Sequence, residues 1–315
     1  MLTVQNLRGI LLPFPTPFHL DGEVNAPAMR SNIERWSETG VTGYVALGST
    51  GERVHLEERE RLDVIETARR AVPQTLAFIV GAGQQSTRAT TGEVRRLAEA
   101  GADAVLLLTP HFYRGAMTQD ALFRYYMTVA DSATVPVLLY SMPELTGVAL
   151  APETVARLSE HENIVGIKDS SGDIINFAET VRLVPDDFAV LTGNGPLLYA
   201  ALAAGATGGI LAVGCAAPRL AVDIYSAFKA GDHARARELQ RRLTPLGLAV
   251  PKRYGIGGLK AALDLLGYTG GHVRAPLQDA SEEARREIAR LLKECGSVEE
   301  PRGSGEQYRQ AGAVE

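Results

Sequence analysis

The feature that most constrains this chain is a rhythm. Eight short apolar runs recur along it: Gly9–Leu12, Gly43–Leu47, Leu76–Val80, Ala104–Leu108, Val135–Tyr140, Ile164–Lys168, Phe188–Thr192 and Gly208–Val213. Each is bounded by glycine, proline or a polar residue. The runs are continuous rather than alternating, which suits strands buried on both faces of a parallel sheet. Amphipathic stretches with helix signals lie between them. Asn25 is placed to cap a helix through Glu38, and Leu56–Ala71 is rich in i,i+4 charge pairs. Thr118 is placed to cap a further helix, and Pro152 and Pro218 sit at first helical positions. Eight βα units in succession predict an α/β fold, a (β/α)8 TIM barrel. An open doubly wound sheet is the alternative that this pattern leaves standing.

Three more helical stretches follow: Asp232–Leu243, Gly258–Leu266 and Ser281–Leu292. The expected organisation is a barrel over 1–229 that carries the catalytic site, a C-terminal helical extension packed on it over 230–295, and a mobile tail over 296–315. The tail is rich in Gly, Glu and Arg and poor in apolar residues. A length of 315 residues suits a barrel of roughly 250 residues with an appendage.

Composition removes several classes of function. The formal net charge is −5, and a mildly acidic chain is a poor non-specific binder of nucleic acid. No apolar run approaches the ~20 residues that span a bilayer, and the first ten residues lack a signal-peptide layout. No membrane partner is expected. Cys215 and Cys295 are the only cysteines, too few for a disulfide framework or a thiolate zinc site, so a cytoplasmic setting is the default. The six histidines form no HExxH or i,i+4 pair, which gives no sign of a metal site.

In a barrel, chemistry gathers at the C-terminal ends of the strands. The sixth run ends in Gly166-Ile167-Lys168-Asp169-Ser170-Ser171-Gly172-Asp173. Of thirty-two basic residues only five are lysines: Lys168, Lys229, Lys252, Lys260 and Lys293. A lysine retained in an apolar strand of an arginine-rich chain points to chemistry that a guanidinium cannot do, such as nucleophilic attack by a free amine. The structural alternative is a strand-end cation paired with Asp169. Tyr140 ends the neighbouring run and is placed to move protons for Lys168; it could equally fill the top of the barrel. Gly48-Ser49-Thr50-Gly51-Glu52 follows the second run, and its backbone N–H groups, hydroxyls and a following helix suit a small carboxylate. The loop lacks the lysine of a P-loop and the full dinucleotide fingerprint. Gly193-Asn194-Gly195 after the seventh run and Gly208-Gly209-Ile210 in the eighth suit a phosphate, or equally leave room for a non-phosphorylated substrate.

Together, Gly48–Glu52, Tyr140-Ser141-Met142-Pro143 with Thr146-Gly147, and Gly166–Asp173 resemble the dihydrodipicolinate synthase / N-acetylneuraminate lyase family. Pro13–Phe18 and Thr109-Pro110 are also similar, and the resemblance runs from about Ile10 to Leu292. It implies a pyruvate-dependent class I aldolase on a (β/α)8 barrel, working without metal or organic cofactor as a homodimer or homotetramer. Within the family, Thr109–Gly115, Tyr140-Ser141, Arg253–Ile256, Gly258–Lys260, Gly267-Tyr268 and Arg274–Leu277 are most similar to 4-hydroxy-2-oxoglutarate aldolases. That likeness implies reversible cleavage of a 4-hydroxy-2-oxo acid into pyruvate and an aldehyde such as glyoxylate.

By the same resemblance Lys168 would form the Schiff base and Tyr140 would be the general acid/base. Gly48, Ser49 and Thr50 would hold the C1 carboxylate. Gly193 and Ile210 would line the pocket, and Ser170 and Ser171 would meet a distal carboxylate. Two departures stand out. Synthases that condense pyruvate with aspartate semialdehyde usually carry Asn after the tyrosine and Arg two residues after the proline; here those places hold Ser141 and Leu145. The family also often has a relay tyrosine where this chain has Phe112, with Tyr113 beside it. The alternatives are 4-hydroxy-tetrahydrodipicolinate synthase or another pyruvate-dependent aldolase or sugar-acid dehydratase, a phosphosugar isomerase, and a non-catalytic keto-acid sensor.

Overall fold

The computed structural model describes residues 7–297; the rest of the expected tail lies outside the described residues. Eight strands form a closed parallel barrel in chain order: β1 (Gly9–Pro13), β2 (Gly43–Ala46), β3 (Ala77–Ala82), β4 (Ala104–Leu108), β5 (Val137–Ser141), β6 (Ile164–Asp169), β7 (Ala189–Thr192) and β8 (Gly208–Ile210). β1 closes the ring against β8. A helix follows each strand, so the fold is a (β/α)8 barrel, and the doubly wound alternative falls away.

The continuous apolar runs now have a physical reason. Leu106, Leu138, Tyr140, Leu191 and Ile210 pack together inside the barrel. Their chain neighbours Leu107, Leu139, Val190 and Leu211 belong to the layer between barrel and helices. Both faces are dry, so both are apolar. The expected helix caps also hold. Asn25 accepts from the Ala28 N–H at the start of Ala26–Ser37, and Thr118 does the same for Gln119–Ser132. Pro152 and Pro218 open their helices.

Most strand boundaries differ from the sequence reading by a residue or two, and the start of β5 and the end of β8 show why. β5 begins at Val137, because Pro136 has no N–H to give to a ladder. β8 ends at Ile210 rather than Val213: Ala212–Cys215 winds into a 3-10 turn, with the Gly214 N–H donating to Leu211 O. A Cβ at Gly214 would lie 2.8 Å from Leu12 Cδ2, so the turn sits tight against β1.

After β8 and its helix Pro218–Lys229 come, among the described residues, three further α-helices, His233–Gly247, Gly255–Leu265 and Glu282–Glu294, the first two joined by a π-helical segment, Leu248–Arg253. They are stitched to the barrel at several points. Asn32 exchanges hydrogen bonds with the Thr269 backbone at 2.8 and 3.0 Å. Trp36 stacks on Tyr268 with ring centres 5.2 Å apart. Gln240 accepts from the Tyr199 N–H and donates to Gly195 O, beside the end of β7. The extension therefore reaches the catalytic end of the barrel.

Candidate active site

Strand register sets the first pair. Tyr140 on β5 and Lys168 on β6 are direct partners in the parallel ladder, and the same alternation turns both toward the barrel interior. Both are buried. The Lys168 Nζ lies 4.4 Å from the centre of the Tyr140 ring. The alternative in which Lys168 pairs with Asp169 does not hold. Asp169 lies one residue on, where the pleat turns it away, and its carboxylate accepts from the N–H and hydroxyl of Ser171 at 2.7 and 2.6 Å. Burial pushes the Asp169 pKa up, against those two bonds.

The rest of that motif divides by the same geometry. Ser170 turns back to the cavity, whereas the Ser171 hydroxyl is committed to Asp169 and lies off the cavity wall. Asp173 caps the next helix, accepting from the N–H groups of Ile175 and Asn176. Gly193, after β7, faces Lys168 and Ser170. A Cβ there would lie 1.9 Å from Ser170 Oγ and 2.9 Å from Lys168 Cε. Only glycine leaves room for both side chains.

On the same cavity, Gly48 leads into a 3-10 turn, Ser49–Gly51. The first N–H groups of such a turn have no partner within it and face outward. The expected helix directly behind the loop is absent; a second short turn, Arg53–His55, intervenes and the helix begins at Glu58. The anion-binding capacity therefore comes from turn N–H groups and hydroxyls rather than from a long helix. The turn is held by Thr16 Oγ1, which donates to Gly51 O at 2.8 Å. Leu47 and Glu52, at its two ends, both have φ of +54°, a left-handed conformation that costs a non-glycine residue about 1–3 kcal/mol.

Ser49 Oγ and the Tyr140 hydroxyl are 3.5 Å apart. Burial opposes ionisation of Tyr140 most strongly. The charge of Lys168 and hydrogen bonding from Ser49, Lys168 and Ser170 outweigh it, so the phenol pKa lies below its ordinary value. An acid group poised this way can both give and take a proton.

These groups line one cavity of about 630 Å³, within the range of small-molecule sites. Gly48, Ser49, Thr50, Tyr140, Lys168, Ser170, Gly193 and Ile210 all contribute to its wall. The extension adds Lys252, Ile256 and Leu277 at the mouth, residues that the strand-end reading had no means to find. Phe112 and Tyr113 do not line it; they stand in the solvent with their rings edge to face. Among the described residues, no group of three or more His, Cys, Asp or Glu is placed to hold a metal, and no helix is long and apolar enough to cross a membrane.

The sequence reading also missed what stands behind the turn. Glu52 is buried, and its Oε1 accepts from Lys260 Nζ at 2.6 Å, across 208 residues of chain. Its Oε2 accepts from the Arg274 backbone N–H at 3.0 Å and lies 3.3 Å from His55 Nδ1.

Comparison with known proteins agrees with this geometry. The family model described as the dihydrodipicolinate synthetase family matches residues 6–295. A 4-hydroxy-tetrahydrodipicolinate synthase from Methanothrix thermoacetophila is 37% identical over 292 residues, which is 92% of this chain and 98% of that protein. The crystal structure of a dihydrodipicolinate synthase from Thermotoga maritima superposes with a TM-score of 0.88 at 32% identity, covering 92% of this chain and 99% of the other. A prophage protein of E. coli K12, solved in complex with pyruvate, gives a TM-score of 0.87 at 30% identity over 92% and 99% of the two chains. Fold, strand-end chemistry and likeness over nearly the whole length converge: the chain belongs to the dihydrodipicolinate synthetase family of Schiff-base, pyruvate-dependent lyases.

Proposed function

We propose that this chain joins pyruvate to an aldehyde, or reverses that step, through an imine on Lys168. The observation that carries the reading is the ladder partnership of the buried Tyr140 and Lys168 in a cavity that Gly48, Ser49 and Thr50 also line. The amine of Lys168 adds to the C2 ketone, and the carbinolamine loses water to give a protonated imine. That imine accepts the electron pair released at C3, so the intermediate is an enamine rather than a carbanion. Tyr140 gives and takes the protons at the carbinolamine and aldehyde oxygens. Gly48, Ser49 and Thr50 hold the C1 carboxylate, Gly193 and Ile210 shape the pocket around the methyl end, and Ser170 faces the second substrate. No metal or organic cofactor is part of the scheme.

The relatives favour the synthase direction, with aspartate semialdehyde as the aldehyde, over the 4-hydroxy-2-oxoglutarate aldolase that the sequence segments suggested. One observation supports the aldolase as a second reading. Leu145 stands at the cavity wall, 63% exposed, in the place where the synthases usually carry an arginine. A leucine cannot clamp a carboxylate. Product analysis with pyruvate and either aspartate semialdehyde or glyoxylate tests the two. A cyclic product with the former supports the synthase; 4-hydroxy-2-oxoglutarate with the latter supports the aldolase. Turnover with neither, by a folded protein, counts against both.

The same reading places the enzyme in the cytoplasm, with barrel 1–229 and extension 230–295 acting as one catalytic unit. We infer a homodimer or homotetramer, because Phe112 and Tyr113, 73% and 72% exposed, form an aromatic patch that a second copy would cover. Light scattering that gave a monomer at micromolar concentration would overturn that assembly.

A further inference from the structure

The Ser49–Gly51 turn cannot hold its shape from its own sequence. Both flanking residues sit in the left-handed region without being glycine, so tertiary contacts must fix them. At the Leu47 end the strand itself does this, since β2 ends at Ala46. At the Glu52 end the anchor comes from the far end of the chain. Lys260, on the helix Gly255–Leu265, is 1% exposed and places Nζ on Glu52 Oε1. The same Nζ donates to His272 O and lies 4.4 Å from the centre of the Phe18 ring. The next residues of the extension close the other side, where the Arg274 N–H reaches Glu52 Oε2 and the Arg274 guanidinium binds Gly22 O, His55 O and Glu60. The Glu52 carboxylate is thus enclosed, and every partner but His55 belongs to the extension.

We propose that Lys260 is a positioning residue: through Glu52 it holds the Ser49–Gly51 turn in the shape that binds the carboxylate of the 2-oxo acid. The inference rests on the imine reading above and adds that the extension, not the barrel alone, determines recognition of that carboxylate. A residue that only stabilised the fold would affect every reaction of Lys168 alike. A residue that shapes the carboxylate site affects only substrates that carry a carboxylate.

Two ketones separate these cases. Pyruvate has the ketone and the carboxylate; acetone has the ketone alone. The variant Glu52→Gln/Lys260→Met removes both charges together, so neither is left buried without its partner. Glu52→Gln alone keeps an oxygen that can accept from Lys260 and serves if the double variant does not fold. Borohydride trapping on Lys168 is measured against ketone concentration for each protein. The expected result is a rise of about tenfold or more in the pyruvate concentration for half-maximal trapping by the double variant, a smaller rise for Glu52→Gln, and acetone trapping within about twofold of wild type. Unchanged pyruvate dependence in a folded variant would overturn the proposal, as would an equal loss with both ketones. Failure of wild-type protein to trap pyruvate would instead remove the imine reading on which this one rests.

Discussion

Lys168 and Lys260 are both buried in a chain that otherwise uses arginine for nearly all its cations. Each places Nζ 4.4 Å from the centre of an aromatic ring, Tyr140 for one and Phe18 for the other. They differ in what completes the shell. Lys260 has the Glu52 carboxylate at 2.6 Å and a backbone carbonyl as well. Burial draws its pKa below the ordinary value, and the carboxylates of Glu52, Asp279 and Asp264 restore only part of that. Lys168 has no carboxylate partner among the described residues and opens on the cavity. The same side chain is a strut where an acid saturates it and a reagent where its neighbours are a phenol, a hydroxyl and space.

The comparison can be broken most directly at Lys168. Lys168→Ala should lower turnover by more than about 10⁴-fold, because Lys252, the other amine that lines the cavity, is exposed and not ladder-paired with the Tyr140 phenol. Steady-state kinetics on the folded variant checks this, and a smaller loss would move the chemistry elsewhere. Lys260→Met alone should act on stability first. It leaves Glu52 as a buried carboxylate without its cation, at a cost of about 3–5 kcal/mol. Urea unfolding reads that change, and a variant as stable as wild type would show that Lys260 is no strut.

Tyr140→Phe should slow imine formation by about 10²- to 10³-fold with the fold intact. It also carries a pH signature. The phenol pKa lies below its ordinary value, so the wild-type rate should change on the alkaline side at a lower pH than a free tyrosine would dictate. The phenylalanine variant should lose that feature, and a profile that kept it would assign the ionisation to another group.

Gly193→Ala sharpens the comparison by crowding only one of the two lysines. Its Cβ would fall 1.9 Å from Ser170 Oγ and 2.9 Å from Lys168 Cε. A destabilisation of about 1–3 kcal/mol and a slower Lys168 reaction are expected; an unaltered trapping rate would mean that Ser170 moves aside freely. The smallest effect belongs to Asp169, whose folded pKa is raised by burial. Its protonated form contributes stability that is complete below the unfolded carboxylate value of about 3.9 and is lost as pH rises through the folded value. Asp169→Asn should flatten that part of the stability profile in unfolding experiments repeated across acidic pH. An unchanged slope would place the titration elsewhere.

The barrel was legible because each of its parts is local. A continuous apolar run, a capping Asn25 or Thr118 and a helix-opening proline each state their structure within a few residues. Two of the boundaries that slipped had local causes too, Pro136 at β5 and the turn after Ile210 at β8. Lys168, Tyr140 and Gly193 could be found because strand ends of a barrel meet at one mouth. The Glu52–Lys260 pair could not: its partners stand 208 residues apart, and no periodicity connects a loop after β2 to a helix beyond β8. Its one signal was compositional, since Lys260 lies in an apolar helix of a lysine-poor chain as Lys168 lies in an apolar strand. Ser171 was misjudged for a different reason. It follows Ser170 directly, and at such a turn successive hydroxyls face opposite ways, so the motif alone did not say which one meets the cavity.

The most direct test of the contrast between the two buried lysines is borohydride reduction in the presence of pyruvate, read by peptide mass spectrometry. A single pyruvate-derived adduct on Lys168, with the Lys260 peptide unmodified, is the predicted result. No adduct on the folded protein, or an adduct on Lys260, would contradict the account.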